Sequence, residues 1–423
     1  MALQRPIFQP FRQPLKITHI FLGIDFGTSF TKVSYSYSYA TNKQIQIHTL
    51  KWSNSKWEKG FVTPTILYLK DNKLFFEKPD KVCLDIRYFK YSILEESLLN
   101  NHQNTKNRFE EMCCVYFLAQ IIKRSFIEIQ KQLKIENLDE LEISVNMGAP
   151  LENFYNEKEK PNKELYLEIL ENAITLAGGS KVKATLPDNS VLLDNLDEVY
   201  TELSNKKPEL NWKAAVIPEL AAELFLYQQS KFIPEGLYII IDIGGGTVDM
   251  AIFEKYKFKH DVEAGMYCIA QKVLPYGVEI LESENSNISS KEFQDAFITM
   301  VMSTKHRMDV HYEDLKKVDV FFLGGGANND WYRKNIINTQ YGLEKSFGPK
   351  LSFKQSINDF IKTDETLLER NQRLIISQMI AKDENDITKV LGYPNFYDEI
   401  IKDNIREANL AYEGYERGSR YWD

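Results

Sequence analysis

Apolar residues recur along the chain at two spacings, one typical of strands and one typical of helices. Short runs that are apolar, or that alternate with polar residues, predict strands, including hairpins between residues 20 and 47 and a buried strand at 318–323. Apolar positions at helical spacing predict a long amphipathic helix at 108–133 and shorter helices at 163–179 and 217–229. Strands interleaved with helices predict an α/β protein.

One stretch of the first hairpins alternates two residue types. Residues 35–39 read YSYSY, which places tyrosines and serines on opposite faces of a strand. We expect an edge strand with one packed face here, rather than a platform on which nucleic-acid bases stack.

Length and polarity indicate how the chain is divided. At 423 residues it is too long for one simple core, so at least two lobes are expected. Residues 1–16 are polar and interrupted by proline, which predicts a flexible N-terminal arm. The stretch 181–213 has weak periodicity and is interpreted as an insertion, and 386–423 is interpreted as a polar, helical C-terminal tail.

Composition argues against several classes of protein. The hydrophobic share of 43% and charged share of 26% are ordinary for a globular protein, and the net charge of −8 argues against general nucleic-acid binding. The four cysteines lack metal-site spacing, so we interpret them as reduced thiols that mostly fill the core. The N-terminus lacks the apolar run of a signal peptide, and no run reaches the length of a membrane span. We therefore expect a cytoplasmic protein with no membrane association.

A short motif with chemical meaning occurs twice. Asp25 and Asp242, 217 positions apart, each end an apolar strand and are each followed by glycine and a hydroxyl residue. Glycine permits a tight turn whose backbone N–H groups point at one spot, which suits phosphate oxygens. The acid beside such a turn would repel phosphate unless a divalent cation lies between them, and Mg²⁺ prefers to be held through water.

Each copy alone is compatible with an ordinary β-turn, because aspartate and glycine are common turn residues. Two copies in matching strand contexts instead indicate two related halves that face one nucleotide. A third glycine cluster at 324–326 lies between a buried strand and a helix, which suits a ribose or α-phosphate. Neither G-x-G-x-x-G nor G-x-x-x-x-G-K-[ST] is present, so Rossmann and P-loop sites are excluded.

Four segments together resemble a known superfamily. GIDFGTSFTKVSY, VIPELAAELFLY, IIIDIGGGTVDMAIF and VFFLGGGANN are similar to the phosphate-1, connect-1, phosphate-2 and adenosine motifs of the actin/sugar-kinase/heat-shock-protein ATPases. The PE-x-A-A and D-x-G-G-G-T-x-D forms are most similar to the ATPase domain of heat-shock protein 70 (DnaK type), over roughly residues 20–385. The resemblance implies a two-lobed actin-like ATPase fold, with duplicated ribonuclease-H-like sheets, flanking helices and a nucleotide cleft between the lobes.

The same resemblance implies a division into lobes. Lobe I would comprise 17–235, with a small subdomain at 51–107. Lobe II would comprise 236–385, with a reduced small subdomain at 277–317.

The resemblance also implies ATP or ADP with Mg²⁺ as ligands, and roles for individual residues. Asp25 and Asp242 would hold the hydrated Mg²⁺, with Asp242 also near the attacking water. Glu219 would reach the metal shell or order that water, and Asp249 is a second candidate acid. Lys90 would stabilise charge on the γ-phosphate. The simpler interpretations, without a role in the chemistry, are that Lys90 is a surface lysine and that Glu219 is an acid favoured by the helix dipole.

The remaining nucleotide contacts implied by the resemblance are made by hydroxyl and glycine residues of the three motifs and of a weaker one, LPYGVEIL. These residues are Gly27, Thr28, Ser29, Gly244, Gly245, Gly246, Thr247, Gly277, Gly324, Gly325 and Gly326.

The chain departs from the chaperone pattern in two places. The segment that would clamp adenine is reduced to about 291–310, which leaves base selectivity open. Lys305 and Arg307 within it either flank the base or lie on a solvated helix face, and the solvated face is the simpler interpretation. No peptide-binding domain follows the ATPase core, so a partner protein is expected to supply client recognition.

Three functions remain to be compared. The leading hypothesis is a slow ATP-hydrolysing molecular switch, monomeric or in a partner complex, whose lobe closure is read by a partner protein. The alternative is a polymerising actin-like filament protein of the plasmid-segregation type, which shares the same hairpins. A small-molecule kinase is a further alternative, although no acceptor-site signal supports it. A non-catalytic relative is disfavoured because every acid that the chemistry needs is present.

Overall fold

The structure is a computed structural model. It describes residues 16–39, 42–52, 60–79, 82–93, 108–150, 160–180, 189–205, 209–229, 234–257, 264–283, 289–305, 317–354 and 374–388. The predicted N-terminal arm, apart from Lys16, and the predicted tail beyond residue 388 lie outside these residues, as does Arg307.

Fifteen strands are present in the described part of the chain. In chain order they are β1 (Ile17–Phe26), β2 (Phe30–Tyr39), β3 (Asn42–Thr49), β4 (Thr63–Pro64), β5 (Leu67–Lys70), β6 (Lys73–Phe75), β7 (Leu84–Ile86), β8 (Glu142–Ala149), β9 (Ser190–Leu192), β10 (Lys213–Pro218), β11 (Gly236–Ile243), β12 (Val248–Lys257), β13 (Ala264–Leu274), β14 (Lys317–Leu323) and β15 (Lys350–Lys354).

The α-helices of the same segments confirm the predicted interleaving with strands. They are α1 (Arg108–Leu133), α2 (Lys160–Leu176), α3 (Leu193–Asn205), α4 (Glu219–Gln229), α5 (Val278–Leu281), α6 (Ser290–Met302), α7 (Asp330–Phe347), α8 (Ile375–Ile380) and α9 (Glu384–Thr388).

Two large sheets share one strand order. In the first sheet the order is β3–β2–β1–β8–β10, and in the second it is β13–β12–β11–β14–β15. In each sheet the first three strands in sequence form an antiparallel meander, and the next two run parallel to the first strand. This repeated topology confirms the predicted two-lobed, actin-like α/β fold with duplicated sheets.

The core of the first lobe surrounds helix α1. Every residue from Met112 to Ile122 is buried, so this stretch is enclosed on all sides, whereas the exposed residues of α1 lie nearer its ends. Helix α2 packs beside α1 and against the edge strand β10. A helix that is apolar all round is typical of a core that covers it completely.

A small four-stranded sheet, in the order β7–β5–β6–β9, accompanies the first lobe. Its edge strand β9 and the following helix α3 come from the segment that we interpreted as an insertion. Residues 190–192 of that segment therefore pair with β6, in the region assigned to the small subdomain at 51–107.

Two helices lie between the two large sheets. Helix α4 follows the first sheet in sequence, but its apolar residues share a core with Tyr238, Phe253 and Phe321 of the second sheet. Helix α8 lies near the end of the described chain and packs on β1, β2 and β8 of the first sheet and on α4, and its Ile375, Met379 and Ile380 belong to the same core as α4. The two helices therefore connect the cores of the two sheets.

The prediction of an edge strand at YSYSY is wrong. Strand β2 lies between β1 and β3, and both its tyrosine face and its serine face are buried through Tyr37. The serine face is covered by helix α8, where Ser34 Oγ lies 2.9 Å from Ser377 Oγ and Ser36 Oγ donates to the carbonyl of Ala381 at 2.6 Å. The hydroxyls therefore have hydrogen-bond partners inside the molecule.

Two further expectations concern cysteines and membranes. The four cysteines are free, and Cys113 and Cys114 are buried in α1 as predicted, while Cys83 and Cys268 are partly exposed. None of the helices in the described segments has the length and apolar character needed to cross a bilayer.

Candidate nucleotide site

The site is built on the first hairpin of each large sheet. In the first hairpin Asp25 pairs with Lys32 across the strands, and in the second Asp242 pairs with Asp249. Both aspartates are therefore the penultimate residue of the first strand of their sheet, and the last cross-strand pairs, Phe26 with Thr31 and Ile243 with Val248, enclose segments of equal length. The structure places the two copies of the motif at equivalent positions in the two lobes.

The turns of the two hairpins touch each other. A Cβ atom added to Gly245 would overlap Ser29 Oγ, and one added to Gly246 would lie 2.5 Å from Thr28 Oγ1. Only glycine therefore allows this approach of one lobe to the other. The hydroxyl of Ser29 is buried, with no hydrogen-bond partner among the described residues.

Five carboxyl groups from both lobes lie buried behind these turns. They belong to Asp25, Glu219, Glu223, Asp242 and Asp249, each no more than 8% exposed. Strand ends supply the aspartates, and the first two turns of α4 supply the glutamates. Such a concentration of acids needs compensating positive charge.

Lys32 compensates the acid of the first hairpin. Its Nζ lies 2.8 Å from Asp25 Oδ2, and both side chains are largely buried. Sequence analysis did not select Lys32, although it lies 217 positions before Asp249, at the same offset that relates the two motifs. The first hairpin therefore carries an ion pair where the second carries two acids.

Lys90 is buried rather than exposed on the surface. Its Nζ donates to Glu219 Oε1 at 3.0 Å and to the backbone carbonyl of Phe26. The structure thus brings Lys90 and Glu219, 129 positions apart, into direct contact beside the first turn. The ion pair is only 3–8% exposed, so neither charge is strongly solvated.

Asp249 and Thr247 form a contact within the second hairpin. Thr247 Oγ1 donates to Asp249 Oδ2 at 3.0 Å. Burial, followed by the nearby charge of Glu219, raises the pKa of Asp249 well above its usual range. The threonine hydroxyl opposes that rise because it stabilises the ionised carboxylate.

The charge state of Asp242 depends on its crowded surroundings. Burial, and next the carboxylate of Glu219, raise the pKa of Asp242 to about 7. A hydrogen bond from Glu223 and the positive charge of Lys32 act in the opposite direction. Asp242 is therefore poised to exchange a proton near neutral pH in the nucleotide-free protein.

Gly277 supports the second turn from behind. The backbone N–H groups of Gly277, Val278 and Glu279 donate to the carbonyls of Gly246, Gly244 and Gly245, respectively, at 2.9–3.0 Å. The first turn of α5 thereby fixes the orientation of the peptide groups of the glycine turn. A Cβ at position 277 would overlap the Gly245 backbone.

The third glycine cluster lies directly beside Asp242. Strand β14 runs parallel to β11, with Leu323 paired to Asp242. Gly324 follows with a φ of 77°, and a Cβ there would overlap Asp242 Oδ1. Gly325 is exposed, and the buried Gly326 donates its N–H to the Ile243 carbonyl at 2.9 Å.

The residues present fit a hydrated divalent cation. Asp242 Oδ1 is buried without a hydrogen-bond partner in the described part of the chain, and the acids around it lack enough positive charge. No three His, Cys, Asp or Glu side chains of the described segments are placed to ligate one ion directly. Binding through water by Asp25 and Asp242 would match the hydrated coordination that Mg²⁺ prefers.

Of the two residues that were candidates for flanking the base, only Lys305 lies among the described residues. Lys305 is exposed beyond the end of α6, while Arg307 lies outside the described residues. The exposure of Lys305 favours the interpretation as a solvated position.

Sequence reasoning also missed Glu223. This residue lies one helical turn after Glu219 and is 3% exposed, and its side chain makes a hydrogen bond with Asp242. The i, i+4 spacing in E-L-A-A-E is the signal that could have identified it, because such residues share one helix face.

Comparison with known proteins gives a limited result. No family model and no curated protein matches the chain. Among solved structures, the crystal structure of the apo pSK41 ParM protein is similar, with 12% sequence identity, 92% of this chain and 99% of that chain covered, and a TM-score of 0.30. Similarity at this level carries no argument about what this chain binds.

Proposed function

We propose that this protein is an actin-like ATPase that binds Mg-ATP between its two lobes and hydrolyses it to ADP and phosphate. The observation that carries the proposal is the pair of equivalent glycine turns, which meet from opposite lobes with buried acids behind them. Backbone N–H groups of such turns bind phosphate oxygens, and two turns from two lobes suit a polyphosphate chain.

Binding is assigned to the turns. Thr28 and Ser29 of the first turn, with Gly245, Gly246 and Thr247 of the second, would contact the β- and γ-phosphates. The unpartnered hydroxyl of Ser29 is available for such a contact. The glycines at 324–326 would contact the α-phosphate or ribose, with Gly325 the most exposed of the three.

Gly277 is assigned a different role from the one that the resemblance implies. Its N–H group already donates to the carbonyl of Gly246. It would therefore act on the nucleotide by holding the second turn in shape, rather than by contacting phosphate.

Hydrolysis is assigned to the buried charges. Asp242, whose pKa is raised to about 7, would accept a proton from the attacking water, while Glu219 would orient that water. Lys90 would stabilise negative charge on the γ-phosphate, once the closed site brings that phosphate near the lysine. Asp249 would keep Thr247 oriented through their hydrogen bond.

A divalent cation, when bound, would neutralise charge on the phosphates. Asp25 and Asp242 are the residues proposed to hold it through water. The Lys32–Asp25 ion pair would then leave Asp25 with one oxygen directed elsewhere, because only Oδ2 contacts the lysine.

Phosphate release from ATP with Mg²⁺ tests this proposal directly. The wild-type protein should release phosphate without any added acceptor, and Asp242→Ala should abolish the release while the protein stays folded. Asp319→Ala is the matched control, since Asp319 lies on the neighbouring strand but pairs with Lys317 and Lys354 at the far end. Unchanged turnover in Asp242→Ala would remove this residue from the site.

Acceptor-dependent turnover would favour the kinase alternative. A wild-type protein that neither binds nor hydrolyses ATP, GTP or another nucleoside triphosphate would overturn the ATPase proposal itself. Comparing ATP with GTP in the same assay also measures the base selectivity.

We propose that the ATPase cycle operates a molecular switch. The segments 17–235 and 236–385 would be the two moving bodies, with α4 and α8 as the connecting helices between them, and a partner protein would read their closure. Sedimentation with and without ATP separates this from the filament alternative. ATP-dependent pelleting of the purified protein would establish polymerisation, and its absence would favour the switch.

A further inference from the structure

One face of helix α4 carries polar groups into an otherwise apolar core. Glu219, Glu223 and Tyr227 follow one another at four-residue intervals and therefore lie on one face. All three are buried, and Tyr227 is completely so. Most other residues of α4 are buried and apolar, including Ala221 and Leu224.

The middle residue of this face contacts the site. The side chain of Glu223 makes a hydrogen bond with that of Asp242. Apart from that contact, Glu223 Oε2, Asp242 Oδ1 and the hydroxyl of Tyr227 have no hydrogen-bond partner among the described residues.

Stability does not explain an acid at position 223. A buried polar atom without a partner costs about 1–3 kcal/mol, and a buried carboxyl beside other acids is unfavourable as well. An apolar side chain of similar volume would pack in the same core at no such cost. A group of this kind in a native structure calls for a functional explanation.

The orientation of Asp242 supplies that explanation. Its Oδ1 points toward Gly324, since a Cβ at that position would overlap this oxygen. Glu223 contacts the same carboxyl group from inside the core. The carboxyl of Asp242 is thus held between α4 and the glycine cluster that follows β14.

We propose that Glu223 is a positioning residue, which holds the carboxyl group of Asp242 in place beside the glycine cluster of the nucleotide site. This inference rests on the proposed ATPase function and deepens it. A hydrogen bond between two carboxyl groups needs one proton between them, because an ionised carboxylate can only accept.

Two substitutions separate this role from simple packing. Glu223→Gln keeps a donor, because the side-chain amide can donate to Asp242. Glu223→Leu removes the donor and leaves an apolar group of similar size. Asn172→Leu is the matched control, since Asn172 is also buried with an unpartnered Nδ2 but lies on α2 in the first lobe.

The expected results differ in kinetics and in stability. Turnover at saturating Mg-ATP should fall by about 10- to 100-fold in Glu223→Leu, as is typical when the partner of a functional side chain is removed. Glu223→Gln should keep most of the wild-type turnover. The melting temperature of nucleotide-free Glu223→Leu should equal or exceed that of the wild type, whereas a purely structural hydrogen bond would predict a lower one. Asn172→Leu should leave turnover unchanged.

Three outcomes would overturn the inference. They are wild-type turnover in Glu223→Leu, an equal loss in Glu223→Gln and Glu223→Leu, or a lower melting temperature of Glu223→Leu that accounts for its lost activity. Each of these leaves the proposed function intact, because the wild-type protein still hydrolyses ATP. Failure of the wild-type protein to bind or hydrolyse any nucleotide is a separate result, which removes the proposed function instead.

Discussion

Asp242 lies where burial and charge repulsion oppose its ionisation. Burial and the neighbouring Glu219 raise its pKa to about 7, whereas the ordinary value is 3.8. An acid whose folded-state pKa is raised binds its proton more tightly in the folded than in the unfolded state. It therefore destabilises the folded protein increasingly as the pH rises from the unfolded to the folded pKa.

The substitution Asp242→Asn should remove this pH-dependent term. We expect its free energy of unfolding, relative to that of the nucleotide-free wild type, to increase from about pH 4 to about pH 7, by at most about 1.4 kcal/mol per pH unit, and then to level off. Urea unfolding across this range measures the difference. A difference that does not change with pH would show that Asp242 ionises normally in the folded protein.

Lys90 contributes to both stability and chemistry, since it is the charged partner of Glu219. In Lys90→Met, Glu219 loses its cation and the carbonyl of Phe26 loses its donor. We expect a loss of phosphate release together with destabilisation of about 3–5 kcal/mol, the usual range when one partner of a buried pair is removed. The exposed Lys73→Met is the control, and denaturant unfolding with a phosphate assay reads both effects. Wild-type stability in Lys90→Met would show that Lys90 is solvated.

At the scale of elements, a four-residue helix fixes a functional turn. Helix α5 donates three backbone N–H groups to consecutive carbonyls of the glycine turn at 244–246. Its placement depends on Gly277, where the backbone of Gly245 leaves no room for a side chain. The shape of the second turn is therefore determined by a segment more than thirty positions further along the chain.

Gly277→Ala tests this dependence. The added methyl group should push α5 away from the turn, misplace the phosphate-binding N–H groups and weaken Mg-ATP binding by about tenfold or more. Gly342→Ala is the control, since Gly342 lies within α7 with open space around it, and alanine there should be neutral or stabilising by up to about 1 kcal/mol. Titration calorimetry measures the affinities. Equal affinity in both variants would separate α5 from nucleotide binding.

At the scale of the whole molecule, the lobes are joined by the helices α4 and α8, which pack on each other. Helix α8 packs on the first sheet so closely that Gly23 has no room for a Cβ beside Ser377. Asn146 on β8 donates to the carbonyls of Ile380 and Lys382, at 2.8 and 2.7 Å. The end of the described chain is thereby attached to the lobe in which the chain begins.

Asn146→Ala should loosen this attachment. It leaves two carbonyls without this donor, and the loss costs about 1–3 kcal/mol at the buried carbonyl of Ile380. We expect faster amide hydrogen exchange at 374–388 with little change in α1. The exposed Asn338→Ala on α7 is the control. Unchanged exchange at 374–388 would indicate that Gly23 and the serines of β2 hold α8 without Asn146.

The sequence by itself determined the local parts of the site. Alternation and helical periodicity predict the hairpins, α1, α4 and α7, because side-chain spacing along one element is a local property. The repeated motif identifies Asp25, Asp242 and their glycines for the same reason. The two copies of the motif, 217 positions apart, also predict that the two sheets are equivalent.

Only the tertiary structure decided which distant side chains meet. The ion pair of Lys90 with Glu219, the contact of Glu223 with Asp242 and the support of the glycine turn by Gly277 all join separate segments. The alternation of tyrosine and serine in β2 predicts one packed face, yet the serines are also buried because α8 returns to cover them. Such contacts depend on how sheets and helices pack in three dimensions, and the spacing of residues within one element carries no information about that packing.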